Sequence, residues 1–190
     1  YGLLEKGHVM THVTVVEIPS YDKLLVFSDA AVCPRPTDEQ FKAILGYVLG
    51  VCRSLGAESP KVALIHCTEK VSEKFPHTLS YESMKEMARN GEYGDCCVDG
   101  PMDVKTACDS DSGAIKGISS PVVGNADALI FPNIESGNVF YKTLTLFAKA
   151  ETAGMLCGTT APIVVASRAD SGESKFNSLA LACLADKVNK

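Results

Sequence analysis

Residues 37–67 read TDEQFKAILGYVLGVCRSLGAESPKVALIHC, and this stretch decides the fold class. Thr37-Asp38-Glu39-Gln40 has the form of a capping box, in which a Thr hydroxyl and a Gln side chain each serve the other residue's backbone N–H. Phe41, Ile44, Leu45, Val48, Leu49 and Cys52 then recur with the period of a helix that buries one face. Gly56 is where that helix should end. Lys61–Cys67 follows as an unbroken apolar run of strand length, the signature of a strand covered on both sides. A helix feeding a doubly buried strand is the unit from which α/β proteins are built.

The alternation extends in both directions. Upstream, Met10–Ile18 and Lys23–Ser28 are strand-like runs joined by the turn-rich Pro19-Ser20-Tyr21-Asp22, which predicts a hairpin. Downstream, Ser80–Asn90 reads as a helix closed by Gly91, and Asp95–Asp99 and Ala126–Phe131 read as strands. Glu135–Ala150 is then a helix, Pro162–Ala166 a strand, and Glu173–Ala185 a helix with Phe176, Leu179, Ala180, Cys183 and Leu184 on one face. Residues 100–125 are the least regular part and call for a short helix around Val104–Cys108. One hairpin within a βα alternation predicts an α/β fold: a mixed, mostly parallel sheet with flanking helices.

Composition narrows the function classes. With 190 residues, 46% of them hydrophobic, the chain can bury a sizeable core. A net charge of −5 argues against a basic nucleic-acid face, and no apolar run reaches the length of a membrane span, so a soluble protein is expected. Eight cysteines sit mostly inside apolar runs and read as buried free thiols, with no CxxC pairing that would support a metal site. His8, His12, His66 and His77 are scattered and read as packing or surface residues. Neither GxGxxG, Walker A, GxSxG nor HExxH occurs.

Ligands of open α/β sheets sit beyond the carboxyl ends of the strands, which directs attention to three loops. Asp99-Gly100-Pro101 puts a carboxylate at a sharp turn, and a turn role alone also accounts for it. Pro132–Asn138 leads into a helix: Asn133 suits an N-cap, Gly137 permits close approach of a ligand, and Tyr141 and Lys142 lie one turn further on. In Ser167-Arg168-Ala169-Asp170-Ser171-Gly172-Glu173, Arg168 offers a two-pronged contact to phosphate at a helix start. Asp170 fits a capping pattern as well as a catalytic role.

At these loops the sequence resembles a known family. Residues 122–142 (VVGNADALIFPNIESGNVFYK) and 161–171 (APIVVASRADS) are similar to the C-terminal part of phosphate acetyl/butyryltransferases, and Ser-Arg-Ala-Asp-Ser looks closer to the butyryl branch. The likeness extends back through Val98-Asp99-Gly100-Pro101 to Ser28-Asp29-Ala30-Ala31 and Thr11-His12-Val13. Asn133 stands where members usually carry an acidic residue, and Ser174 where the acetyl branch carries a catalytic aspartate.

The resemblance implies a two-domain fold like that of isocitrate and isopropylmalate dehydrogenases, with the active cleft between the domains. Residues 1–9 would be a remnant of the first domain, residues 10–153 the second, and residues 154–190 a return to the first, the N-terminal part of the usual chain being absent. It also implies reversible acyl transfer, butyryl or similar, from acyl-CoA to phosphate, giving acyl phosphate and CoA. Coenzyme A is then a substrate and no cofactor is permanently bound. In this scheme Arg168 holds phosphate, Ser167 the carbonyl oxygen and Asp170 the thiol proton, while Asp99, Gly100, Pro101, Gly137, Asn138, Tyr141 and Lys142 contact substrate. A cytoplasmic homodimer or higher homo-oligomer is implied, with no nucleic-acid or membrane partner. The alternatives are a noncatalytic fragment that keeps the fold and dimer surface, and a dehydrogenase of similar fold needing magnesium and NAD.

Overall fold

The computed structural model describes residues 2–4, 8–168 and 170–185. Tyr1, residues 5–7, Ala169 and residues 186–190, parts of the expected first-domain segments and of the arginine loop, lie outside the described residues. In chain order the elements are β1 (Thr11–Glu17), β2 (Leu25–Ser28), α1 (Asp38–Ser54), β3 (Lys61–Ile65), α2 (His77–Arg89) and β4 (Cys97–Met102). They continue with α3 (Val104–Cys108), α4 (Ser110–Lys116), β5 (Ala128–Ile130), α5 (Ile134–Phe147), β6 (Glu151–Cys157) and α6 (Gly172–Leu184).

The strands form one six-stranded sheet in the order β4-β3-β5-β2-β1-β6. The β4/β3, β3/β5 and β5/β2 pairs are parallel, whereas β2/β1 and β1/β6 are antiparallel, so the expected mixed and mostly parallel α/β sheet is what forms. Helix α1 follows its sequence signal closely. The Thr37 hydroxyl accepts from the Gln40 N–H at 3.3 Å, the Gln40 side chain accepts from the Thr37 N–H at 2.9 Å, and the whole predicted apolar stripe is buried. On that side of the sheet α1 packs with Val13, Val15, Leu64, Tyr81 and Met84. On the other side Val16, Phe27, Ala63 and Leu129 meet Phe131, Phe140 and Tyr141, with the rings of Phe27 and Phe140 edge to face at 5.2 Å.

Several expectations need correction. Pro162–Ala166 is not a strand: Pro162 has no N–H to offer a ladder, and Ile163 makes only an isolated bridge to Leu156. The last strand is instead β6, whose sequence Glu-Thr-Ala-Gly-Met-Leu-Cys carries little β propensity. Pairing with β1 along its full length, from Glu17↔Glu151 to Thr11↔Cys157, holds it in place. The expected passage from residues 10–153 to residues 154–190 lies along this strand.

Asp99-Gly100-Pro101 does not turn the chain, because β4 runs through it to Met102. Gly100, at a φ of 143°, absorbs an irregularity in the β3/β4 ladder, and any Cβ there would come within 2.5 Å of the Leu64 carbonyl oxygen. Helix α2 starts at His77 rather than Ser80, and α4 adds a second short helix to the irregular region. In α6 the expected apolar face points outward: Phe176, Leu179 and Leu184 are exposed, while Ser174, Ser178, Leu181 and Ala182 are buried. Of the eight free cysteines only Cys33, Cys52 and Cys157 are buried, and Cys67 and Cys183 are exposed. No helix among the described residues is long and apolar enough to cross a membrane.

Candidate active site

The site is built around a buried carboxylate. Asp29, directly after β2, is 2% exposed, so its charge must be balanced by donors from the protein. Its Oδ1 accepts from the N–H groups of Ala31 and Val32 at 2.6 and 2.8 Å. Its Oδ2 accepts from the Thr11 hydroxyl at 2.6 Å and from the N–H groups of His12 and Cys33 at 2.9 and 3.2 Å. These bonds clamp the 29–33 turn onto the start of β1. The first turn of α5 seats directly on this turn, since a Cβ on Gly137 would lie 2.1 Å from the Asp29 carbonyl oxygen. The close approach that Gly137 allows is therefore to backbone. Asn133 caps α5 through the Ser136 N–H at 2.9 Å, and the Asn138 amide donates to the Ala30 carbonyl at 3.0 Å.

Above this base lies a cavity of about 220 Å³ over β1 and β6. His12, Thr14, Thr152 and Gly154 line it from the sheet, Asn138, Tyr141 and Lys142 from α5, and Ser167 and Asp170 from the loop before α6. The Tyr141 hydroxyl donates to Asp170 Oδ1 at 2.7 Å, and the Ser167 N–H donates to Asp170 Oδ2 at 2.6 Å. Asp170 thus ties the loop to α5, with each oxygen engaged. Burial pushes the Tyr141 phenol up to about 12, reinforced by Asp170 and opposed by the Thr152 hydroxyl, so it keeps its proton near neutral pH. The Lys142 ammonium lies 4.6 Å from the centre of the Tyr141 ring and brings positive charge to the cavity. Burial also lowers the pKa of His12, against the opposing pull of Asp29 and Asp170, so its imidazole is neutral near pH 7.

The structure brings Ser167, Asp170, Asn138, Tyr141 and Lys142 to one place and seats Gly137 beneath it. Arg168 is exposed, one residue beyond Ser167 and outside the cavity lining. Asp99, Gly100 and Pro101 lie on β4, at the opposite edge of the sheet, where Asp99 is 3.9 Å from the Lys85 ammonium. Ser174 is buried, with its hydroxyl donating to Glu151 at 3.3 Å. The sequence reading missed His12, Thr14, Asp29, Thr152 and Gly154 as site residues. One signal was present: His12 and Thr14 alternate with Val13 and Val15, so one face of an otherwise apolar strand is polar. Among the described residues no group of three or more His, Cys, Asp or Glu side chains is placed to hold a metal ion.

Residues 2–183 match the family described as phosphate acetyl/butaryl transferase. The chain is 40% identical over 181 residues to a phosphate butyryltransferase of Clostridium acetobutylicum, a match covering 95% of this chain and 60% of that protein. It is 39% identical over 184 residues to a phosphate acetyltransferase of Thermotoga maritima, covering 97% and 62%. Among solved structures it superposes on a branched-chain phosphotransacylase from Enterococcus faecalis with a TM-score of 0.85 at 34% identity, covering 96% of this chain and 65% of that one. The chain therefore spans about 60% of the length of the curated relatives it matches.

Proposed function

We propose a reaction from one premise: the chain belongs to the phosphate acetyl/butaryl transferase family. The reaction is reversible transfer of a short acyl group, butyryl or similar, between coenzyme A and inorganic phosphate. The observation that carries this reading is the meeting of the Ser167–Asp170 loop with the start of α5 in one polar cavity, fastened by the Tyr141–Asp170 hydrogen bond.

The chemistry asks for little beyond placement. A thiol sulfur attacks the acyl phosphate carbonyl carbon, and phosphate leaves. Donors must meet the carbonyl oxygen as it gains negative charge, and cations must hold the phosphate. Ser167 is assigned to the carbonyl oxygen. Lys142 from the cavity wall and Arg168 from the loop beside it are assigned to phosphate, where a guanidinium adds a planar two-pronged contact. Tyr141, protonated and anchored on Asp170, holds the α5 side of the site in register with the loop. Holding two substrates in attacking geometry can supply up to about 7–11 kcal/mol, which suits a site of polar loops. The assembled cavity weighs against the noncatalytic alternative. The family resemblance supports a cytoplasmic homo-oligomer and the two-domain cleft as parts of the same proposal.

The test follows phosphate-dependent release of free thiol from butyryl-CoA and acetyl-CoA by the protein as it exists. Release from one or both is expected, and its absence at saturating substrate overturns the reading. Arg168→Ala should lose activity by about 100-fold or more, equivalent to about 2.7 kcal/mol or more, at an unchanged melting temperature. Lysine at that position should restore only part of the rate.

A further inference from the structure

The geometry points to His12 as the group that accepts the coenzyme thiol's proton, an assignment that rests on the acyl-transfer reading above. His12 is 8% exposed and sits on the floor of the cavity, facing the loop that carries Ser167 and Asp170. Among the described residues its ring makes one hydrogen-bond contact, and its backbone is fixed on both sides. Nδ1 lies 3.2 Å from the Thr14 hydroxyl, the backbone N–H is bound to Asp29, and the carbonyl accepts from the Ser28 hydroxyl at 2.9 Å. In the tautomer whose Nδ1–H donates to the Thr14 hydroxyl, Nε2 carries the lone pair, and this is the form the assignment uses. Nε2 makes no hydrogen bond to another described residue. Beside it is Gly154, where any Cβ would lie 2.7 Å from Nε2, so the ring occupies this floor because β6 has no side chain there.

Asp170 is less suited to the same task. Each of its oxygens already accepts a short bond, from Tyr141 and from Ser167, and taking a proton would break part of the loop's anchorage. A simple thiol with a pKa of about 8.5 is mostly protonated near pH 7, so its attack needs a base in reach. Burial keeps the His12 imidazole in the base form at that pH. The charged and titratable groups facing it are Asp29 after β2, Asp170 before α6, and Tyr141 and Lys142 on α5. The two carboxylates favour the imidazolium once it forms, while Lys142 opposes it. In the step itself the thiol proton moves to Nε2 as the sulfur–carbon bond forms. The carbon–oxygen bond to phosphate breaks, and the imidazolium passes its proton to the departing phosphate. In reverse, His12 protonates the leaving thiolate.

The experiment compares wild type with His12→Asn in the acyl phosphate plus coenzyme A direction across pH. For the variant, kcat should fall about 100-fold or more with KM for both substrates little changed. Its deficit should shrink as pH rises toward about 8.5, where the thiol ionises without help. Thr14→Val, which removes the Nδ1 partner but leaves the imidazole, should lower kcat and move the acidic limb of the pH profile. A folded His12→Asn protein with near-normal kcat and an unaltered pH profile overturns the assignment while leaving acyl transfer intact. If His12→Asn does not fold, Thr14→Val with an unmoved pH profile overturns it equally. Failure of wild type to exchange acyl groups overturns the underlying reaction and this assignment with it.

Discussion

Helix α1 presses Phe41, Ile44, Leu45, Val48, Leu49 and Cys52 into the core, whereas α6 leaves Phe176, Leu179, Cys183 and Leu184 exposed and turns Ser174, Ser178, Leu181 and Ala182 inward. Both helices carry apolar residues at helical spacing. The difference lies in what each one meets. Helix α1 packs over β1, β2 and β5 and against α2, an apolar bed wide enough for large side chains. Helix α6 packs against β6, an edge strand with backbone groups still to satisfy. There the Gly154 N–H donates to the Ser178 hydroxyl at 3.0 Å, and that hydroxyl donates to the Ser174 carbonyl at 2.7 Å. An unpaired backbone donor costs about as much as a lost hydrogen bond, so small polar residues take the inward positions that Phe or Leu would otherwise fill.

This contrast can be broken most forcefully at Phe41, which is 1% exposed. Phe41→Ala should cost about 3–5 kcal/mol in chemical denaturation, and a loss below about 1 kcal/mol would show that α1 is not the anchor of its core. On the other helix, Ser178→Ala should cost about 1–3 kcal/mol because it leaves the Gly154 N–H buried and unpaired. Ser178→Thr, which keeps the hydroxyl, should recover part of that loss if the bond rather than the volume matters. Thr37→Ala removes the α1 cap and should cost about 1 kcal/mol, visible as a lowered denaturation midpoint with unchanged slope. The smallest effect is expected at Phe176, which is 70% exposed: Phe176→Ser should shift stability by no more than about 0.5 kcal/mol. A large loss there would mean that the outer face of α6 is covered in the folded protein, and the contrast with α1 would disappear.

The site divides along similar lines. Ser167, Asp170, Asn138, Tyr141 and Lys142 were legible because each stands in a loop or in the first turns of the helix that follows an apolar run, where open α/β sheets expose their ligand-binding edge. His12 and Asp29 were not, because their roles come from neighbours distant in sequence. Asp29 takes its partners from Thr11 and His12 on β1, and His12 takes its room from Gly154 on β6. Asp99 failed in the opposite sense. Strand β4 runs on through it to Met102, so Asp99 does not mark a strand end, and β4 lies at the far edge of the sheet from the cavity.

By itself the sequence determined the α/β class, the position and cap of α1, the hairpin of β1 and β2, and the family. Each is written in short-range signals, in side-chain periodicity, capping residues and contiguous motifs, that survive without knowledge of what packs where. Only the tertiary structure decided that Glu151–Cys157 is a strand, which face of α6 turns inward, and that a histidine and a glycine from two separate strands build one cavity floor above a buried aspartate. Those outcomes depend on which backbone groups and side chains are left to be satisfied once the sheet has formed, and that requirement is set by partners far away in the chain.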